Sequence, residues 1–286
     1  MFASLTASLI LSTQVFHQYI CGLFANHHSN RVVEYSAFEK VLENPERYRC
    51  GENYRATNIV FPVKVEGNSY VFKKPRHALV SSVIHTYYSF QGDFFNFSRL
   101  RSSYKEGIRR EIAVLEALDG LHAPRLVYSD FKEPSLIREY IDGDDFRSLF
   151  RDEDIRQTLE GALEAMTEMH QEDHFIGDAN VKNILLNRHG ESYWLDFEGF
   201  FGTDVDEGKV NDILKFVYSI FAATRDEGAV IYAAELVAKN YPDGEIKDRL
   251  RNKFKSMPSR GLRLWFPTRF PADGKLYGVV KRILES

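Results

Sequence analysis

Two stretches near the middle of the chain set oxygen-bearing side chains against apolar runs. His174–Leu186 reads HFIGDANVKNILL, and Tyr193–Phe201 reads YWLDFEGFF. Asp178 and Asn183 have the spacing D-x-x-x-x-N, and Asp196 follows Asn183 by thirteen positions. Taken singly, Asp178 reads equally well as a turn residue and Asn183 as a strand entry. Taken together they offer chemistry. One carboxylate can orient and deprotonate a hydroxyl. An amide oxygen and a second carboxylate suit a hard divalent cation. Phosphoryl transfer needs that combination of base and metal ligands.

The surrounding pattern says what must position them. NIVFPVKVEGNSYVFKKP holds two β-like runs joined at Glu66-Gly67-Asn68, which predicts a hairpin. Ile108, Ile112, Leu115 and Leu118 recur at helical spacing over Tyr104–Leu118. RLVYSD and SLIREYI follow as two short strands, with Lys132-Glu133-Pro134 at their turn. After Gly143 the pattern changes to helix, and Ile155, Leu159, Leu163, Met166 and Met169 form a stripe ending before His170. The two quoted stretches come next, each an apolar run beside a polar turn. Helical pattern resumes over 210–223 and 228–240. A tail with Trp265-Phe266-Pro267 and Phe270-Pro271 is irregular before a last short element. Strand-rich first and helix-rich second, this order predicts an α+β, two-lobed architecture.

On these residues the chain resembles the protein-kinase-like fold, with its H-R-D-x-x-x-x-N catalytic loop and its D-F-G metal segment. The resemblance runs from about Tyr48 to Ile220. It implies a bilobal fold with Asp178 as the catalytic base and Asn183 and Asp196 as metal ligands. YVFK resembles the strand carrying the phosphate-binding lysine. Lys73 is then the catalytic and cofactor-binding candidate, Lys74 stays open beside it, and Glu111 in RREIAVLEAL is the helix partner. LIREYIDGDDF resembles the hinge, so Glu139, Ile141 and Asp145 are expected at the nucleotide. His170, eight positions before Asp178, and Asp212 in VNDILKF resemble the residues that brace the loop. The implied cofactors are ATP and Mg²⁺ or Mn²⁺.

The departures point to an atypical member. Ile176-Gly177 stands where His-Arg is usual, and the loop around Gly51–Thr57 has one glycine. Glu198 is third in D-F-x, equally a metal contact or a solvent-facing residue, and Lys182 is equally a phosphate contact or a surface residue. Sixteen positions separate Asp196 from Asp212, with no A-P-E. The segment that docks peptides in ordinary protein kinases has no room there. The pattern looks most like lipopolysaccharide core kinases acting on Kdo or heptose, with RIO-type and Kae-associated protein kinases next. The implied activity is transfer of the γ-phosphate to a hydroxyl of a sugar or lipopolysaccharide-core-type acceptor. The alternatives are an atypical Ser/Thr protein kinase and a non-catalytic nucleotide-binding scaffold.

Composition excludes other classes. The 286 residues are 44% hydrophobic and 27% charged, which is globular rather than disordered. A net charge of −4 and a pI near 6.2 argue against nucleic acid as a partner. The two cysteines, Cys21 and Cys50, make neither a disulfide framework nor a zinc motif. They fit a cytoplasmic protein. His170 and His174 flank Glu172, but the Glu is misplaced for a helical zinc site and no third ligand is evident. Residues 1–30 carry no Lys, Arg, Asp or Glu, so they lack the positive start of a signal peptide. Polar residues interrupt the run too early for a spanning helix. A peripheral contact of residues 1–25 with the inner face of a membrane is compatible with that composition. The expected units are this segment (1–30), a nucleotide-binding N-lobe (31–141) and a C-lobe holding the catalytic loop and metal site (142–286).

Overall fold

The computed structural model describes residues 35–52, 54, 58–75, 104–146, 148–149, 155–198, 204–242, 244–256 and 275–285. The uncharged segment 1–30, part of the glycine-poor loop and the Trp265–Pro271 tail lie outside the described residues.

Helix α1 (Tyr35–Glu43) and a 3₁₀ turn (Pro45–Tyr48) precede strands β1 (Asn58–Val65) and β2 (Asn68–Pro75). Glu66 and Gly67 both have positive φ, at 51° and 88°, which makes a two-residue type I′ turn. The turn is one residue shorter than expected, because Asn68 already pairs with Val65. Helix α2 (Tyr104–Leu118) has the bounds its periodicity predicts, and strands β3 (Leu126–Asp130) and β4 (Ser135–Glu139) follow. The four strands form one antiparallel sheet in the order β1-β2-β4-β3.

This sheet is covered on both faces. Phe61, Val63, Phe72 and Ile137 pack with Phe38 and Val41 of α1. Leu136 joins Ile108, Ile112 and Leu115 of α2 in the larger core. Side chains alternate along a strand, so Lys73 of β2, paired with Leu136, shares the α2 side. Phe72 and Lys74 take the α1 side.

The second part is helical around a small sheet. Gly143–Asp145 forms β5 rather than starting the helical pattern. It pairs with β6 (Ile184–Asn187), which pairs with β7 (Ser192–Trp194). Gly143 permits this approach: a Cβ there would stand 2.1 Å from the Leu186 carbonyl oxygen. Helix α3 (Ile155–Gln171) buries Leu159, Ala162, Leu163, Met166 and Met169, and continues through His170. Helix α4 (Val205–Thr224) is capped by Asp204, whose carboxylate accepts from the Glu207 amide. It is buried over most of its length and forms the centre of this part. Helices α5 (Glu227–Asn240) and α6 (Gly244–Ser256) pack on it, and α7 (Lys275–Glu285) packs on α5 and α6. The α+β class and the strand-rich, then helical, arrangement are those the sequence implies. No helix among the described residues is long and apolar enough to cross a membrane.

Candidate active site

The site begins with a buried ion cluster between the sheet and α2. Lys73 is 1% exposed and Glu111 is fully buried. The Lys73 amine donates to Glu111 and Glu198 at short range and to Asp196 Oδ1 at 3.1 Å. Burial works against the charge on Lys73, but Asp196, Glu111 and Glu198 outweigh it. They hold the amine above lysine's ordinary range, with Arg138 opposing them. Lys74 is half-buried, its amine 5.8 Å from the centroid of the Phe72 ring. Of the two lysines, Lys73 is the one brought to Glu111.

Glu198 faces neither bulk solvent nor surface neighbours alone. Its side chain is 24% exposed, and Asn58 Nδ2 donates to Oε1 at 2.6 Å. Burial pushes its carboxyl up to about 7, with Asp196 and Glu111 adding to the rise and Lys73 opposing it. A carboxyl raised from its unfolded value stabilises the fold fully below that value. The contribution is lost as pH rises through about 7. In metal-free buffer, Glu198→Gln should therefore gain melting temperature relative to the parent between pH 5 and pH 8. A pH-independent difference between the two proteins would show that Glu198 is not desolvated as described.

Two arginines, neither anticipated from the sequence, tie these elements to the Asp196 segment. Arg138, on the α2-facing side of β4, donates to the Leu195 carbonyl and lies 3.4 Å from Glu111 Oε1. Arg110 of α2 donates to the carbonyls of Phe175 (3.1 Å), Ile176 (3.2 Å) and Phe197. Its guanidinium also lies 4.7 Å from the centroid of the Phe175 ring. The same ring packs against the backbone at Gly208, where a Cβ would meet it at 2.5 Å. Arg110 adjoins Glu111 in sequence, and Arg138 keeps strand alternation with Leu136. Those were the available signals.

The loop holding Asp178 is irregular up to Asn180, not a strand, and then forms a 3₁₀ turn (Val181–Asn183) leading into β6. Asn180 caps that turn by accepting from the Lys182 amide at 3.1 Å. Asp212 braces the loop from α4. Fully buried, it accepts from the amides of Ile176 (2.5 Å) and Gly177 (2.8 Å). His170 lies beside it, with Nε2 3.3 Å from Asp212 and Nδ1 2.8 Å from the Tyr241 hydroxyl. Gly177 has φ 83°, a left-handed conformation that a side-chain-bearing residue resists. Glycine at 177 thus suits the backbone there.

Asn183 Nδ2 donates to the Asp178 carbonyl at 2.9 Å and lies 3.4 Å from Oδ2. The Leu195 amide donates to the Asn183 carbonyl at 3.0 Å, which sets Asp196 one residue from the loop. Lys215 of α4, also missed in the sequence, lies 3.2 Å from Asp178 Oδ1. Asp212 and Lys215 sit three apart, hence on one helix face.

The structure thus gathers Lys73, Glu111 and Asp196 in one cluster, and Asp178 beside Asn183. Glu139 ends β4, with its carboxylate accepting from the Arg125 amide at 3.3 Å, and Ile141 follows half-buried. Asp145 is exposed on β5 and accepts from the Ser148 amide at 2.9 Å.

Neither a family model nor a curated protein matches the chain. Among solved structures it is similar to an apo pseudokinase, at 14% identity and a TM-score of 0.42, covering 88% of this chain and 87% of that one. It is also similar to Rio2 kinase from Chaetomium thermophilum, solved as an ADP/Mg²⁺-phosphoaspartate complex. That match has 15% identity and a TM-score of 0.43, and covers 88% of this chain and 75% of the other.

Proposed function

We propose that the protein is an ATP-dependent phosphotransferase of the protein-kinase-like type, moving the γ-phosphate to a hydroxyl. The observation that carries this reading is the convergence of Lys73, Glu111 and Asp196 in one cluster, linked through Leu195 to the Asp178–Asn183 loop. In this reading Lys73 binds the nucleotide phosphates and Glu111 fixes Lys73. The backbone from Glu139 to Ile141, with Asp145 beyond it, borders the nucleotide. Asp178 orients the acceptor hydroxyl and takes its proton.

A hard divalent cation fits the donors near the loop. The Asp196 carboxylate and the Asn183 amide oxygen are the oxygen ligands Mg²⁺ or Mn²⁺ prefers. The wider carboxylate group of Glu111, Asp196 and Glu198 already surrounds the Lys73 ammonium. Asp196 and Asn183 would hold the metal, which would neutralise phosphate charge.

The acceptor in this reading is a sugar-type hydroxyl, of the lipopolysaccharide-core class. Helix α4 starts at Val205, seven positions after Glu198, which leaves little chain for a peptide platform. The same brevity suits an atypical Ser/Thr protein kinase. Labelled ATP with Mg²⁺ or Mn²⁺, offered Kdo, heptose, other sugars and generic protein substrates, separates the two. Asp178→Ala and Asp196→Ala should each lower turnover by at least about 100-fold. Asp196→Ala should also weaken Mg²⁺-dependent nucleotide binding, which Asp178→Ala should spare. Full activity in Asp196→Ala would sink the assignment. Mg²⁺-nucleotide binding without turnover on any acceptor would favour a non-catalytic scaffold.

A further inference from the structure

We propose that Lys215 contacts the transferring phosphoryl group, so that the site distinguishes a nucleoside triphosphate from a diphosphate. The inference rests on the phosphotransferase reading above and assigns a new residue to it.

Lys215 comes from α4, thirty-seven positions after Asp178 in the chain, yet its amine lies 3.2 Å from Asp178 Oδ1. It also donates to the Gly177 carbonyl at 2.7 Å. Asp212, on the same helix face, takes the amides of Ile176 and Gly177. One helix thus grips the loop from both its N–H and C=O sides and leaves a positive charge beside the base. The Lys215 side chain is 16% exposed and that of Asp178 40%, so both reach solvent.

Distance links the amine to the chemistry. A hydroxyl served by Asp178 sits about 2.6–3.2 Å from its carboxylate. The phosphorus it attacks lies about 3–3.5 Å farther on. An ammonium on that same carboxylate is then within reach of a phosphoryl oxygen through small rotations of its four-carbon stem. Lys73, which serves the nucleotide phosphates in this reading, is held by Glu111, Asp196 and Glu198 and has no contact with Asp178 among the described ion pairs. Within the loop, Asn180 uses its side-chain oxygen to cap the 3₁₀ turn, and that group carries no charge. The phosphoryl end of the nucleotide is where Lys215 adds something that Lys73 does not.

The rival role is a structural pin on the Gly177 carbonyl, and binding separates the two. Calorimetry would compare the Mg²⁺ complexes of ADP and of β,γ-imido-ATP on the full chain. The proteins are the parent, Lys215→Met, Lys215→Gln and the remote Lys281→Met. Lys215→Gln keeps a donor for Gly177 but loses the charge, so it remains informative if Lys215→Met does not fold. The expected result is ADP affinity within about twofold of the parent, with the preference for the triphosphate reduced about tenfold. Lys281→Met should match the parent. An unchanged triphosphate preference, or an equal loss for both nucleotides, overturns the proposal and leaves Lys215 as a pin. A parent that binds both nucleotides without preference overturns it too. A parent that binds neither overturns the phosphotransferase reading itself.

Discussion

Replacing Lys73 with Met should destabilise the folded protein by about 3–5 kcal/mol near neutral pH, because it leaves buried carboxylates without their cation. Glu111 has no exposed surface, and Asp196 and Glu198 face the same amine. Arg138 remains near Glu111, but its distance of 3.4 Å and its second task at the Leu195 carbonyl make it a partial replacement. The sign with pH follows from the loss of attraction. Without Lys73, Glu198 loses the attraction that opposes the rise in its carboxyl pKa. Stability is then greatest below its unfolded range and falls as pH rises. The carboxyl, already raised to about 7 with Lys73 present, moves farther up. Denaturant unfolding in metal-free buffer at pH 8 and pH 5.5 reads the effect. The deficit should be larger at pH 8, and Lys74→Met should stay within about 0.5 kcal/mol of the parent. Equal deficits for the two lysine variants would contradict the orientation of β2.

The second large effect is expected at Asp212. Its carboxylate takes two backbone amides and borders a histidine in a fully buried setting. Asp212→Ala removes the acceptor and strands those amides, which should cost about 3–4 kcal/mol. The damage should be local before it is global. Residues 174–183 depend on α4, whereas the β1-β2-β4-β3 sheet has its own packing on α1 and α2. Hydrogen exchange on a peptide spanning 174–183 should rise well above the parent, with β1 and β2 little changed. Retained protection at Ile176 and Gly177 would mean that the loop is held without Asp212.

These two residues also divide what is local from what is not. Periodicity placed α2 at its observed bounds, because Ile108, Ile112, Leu115 and Leu118 must share one face to be buried. Alternation and a Glu-Gly turn were enough for the first hairpin. The D-x-x-x-x-N spacing and the later Asp196 were legible because a loop and the hairpin after it are contiguous in the chain. The strand β5 was not legible, since three exposed residues pair only because β6 arrives forty positions later.

Lys73 and Lys74 show the same limit at a single strand. Alternation says that they point to opposite faces, and nothing local says which face meets α2. That depends on α1 covering Phe61, Phe72 and Ile137, which leaves Lys73 on the side of Glu111. Glu198 was undecidable until Asn58 and Lys73 met it. Arg110, Arg138 and Lys215 act on carbonyls and carboxylates far away in the chain, and such contacts leave no periodic trace. The sequence alone determined which oxygen-bearing residues are available for chemistry and the elements that carry them. Tertiary packing decided which cation each carboxylate faces, because that pairing is set by distances between elements and not by spacing within one.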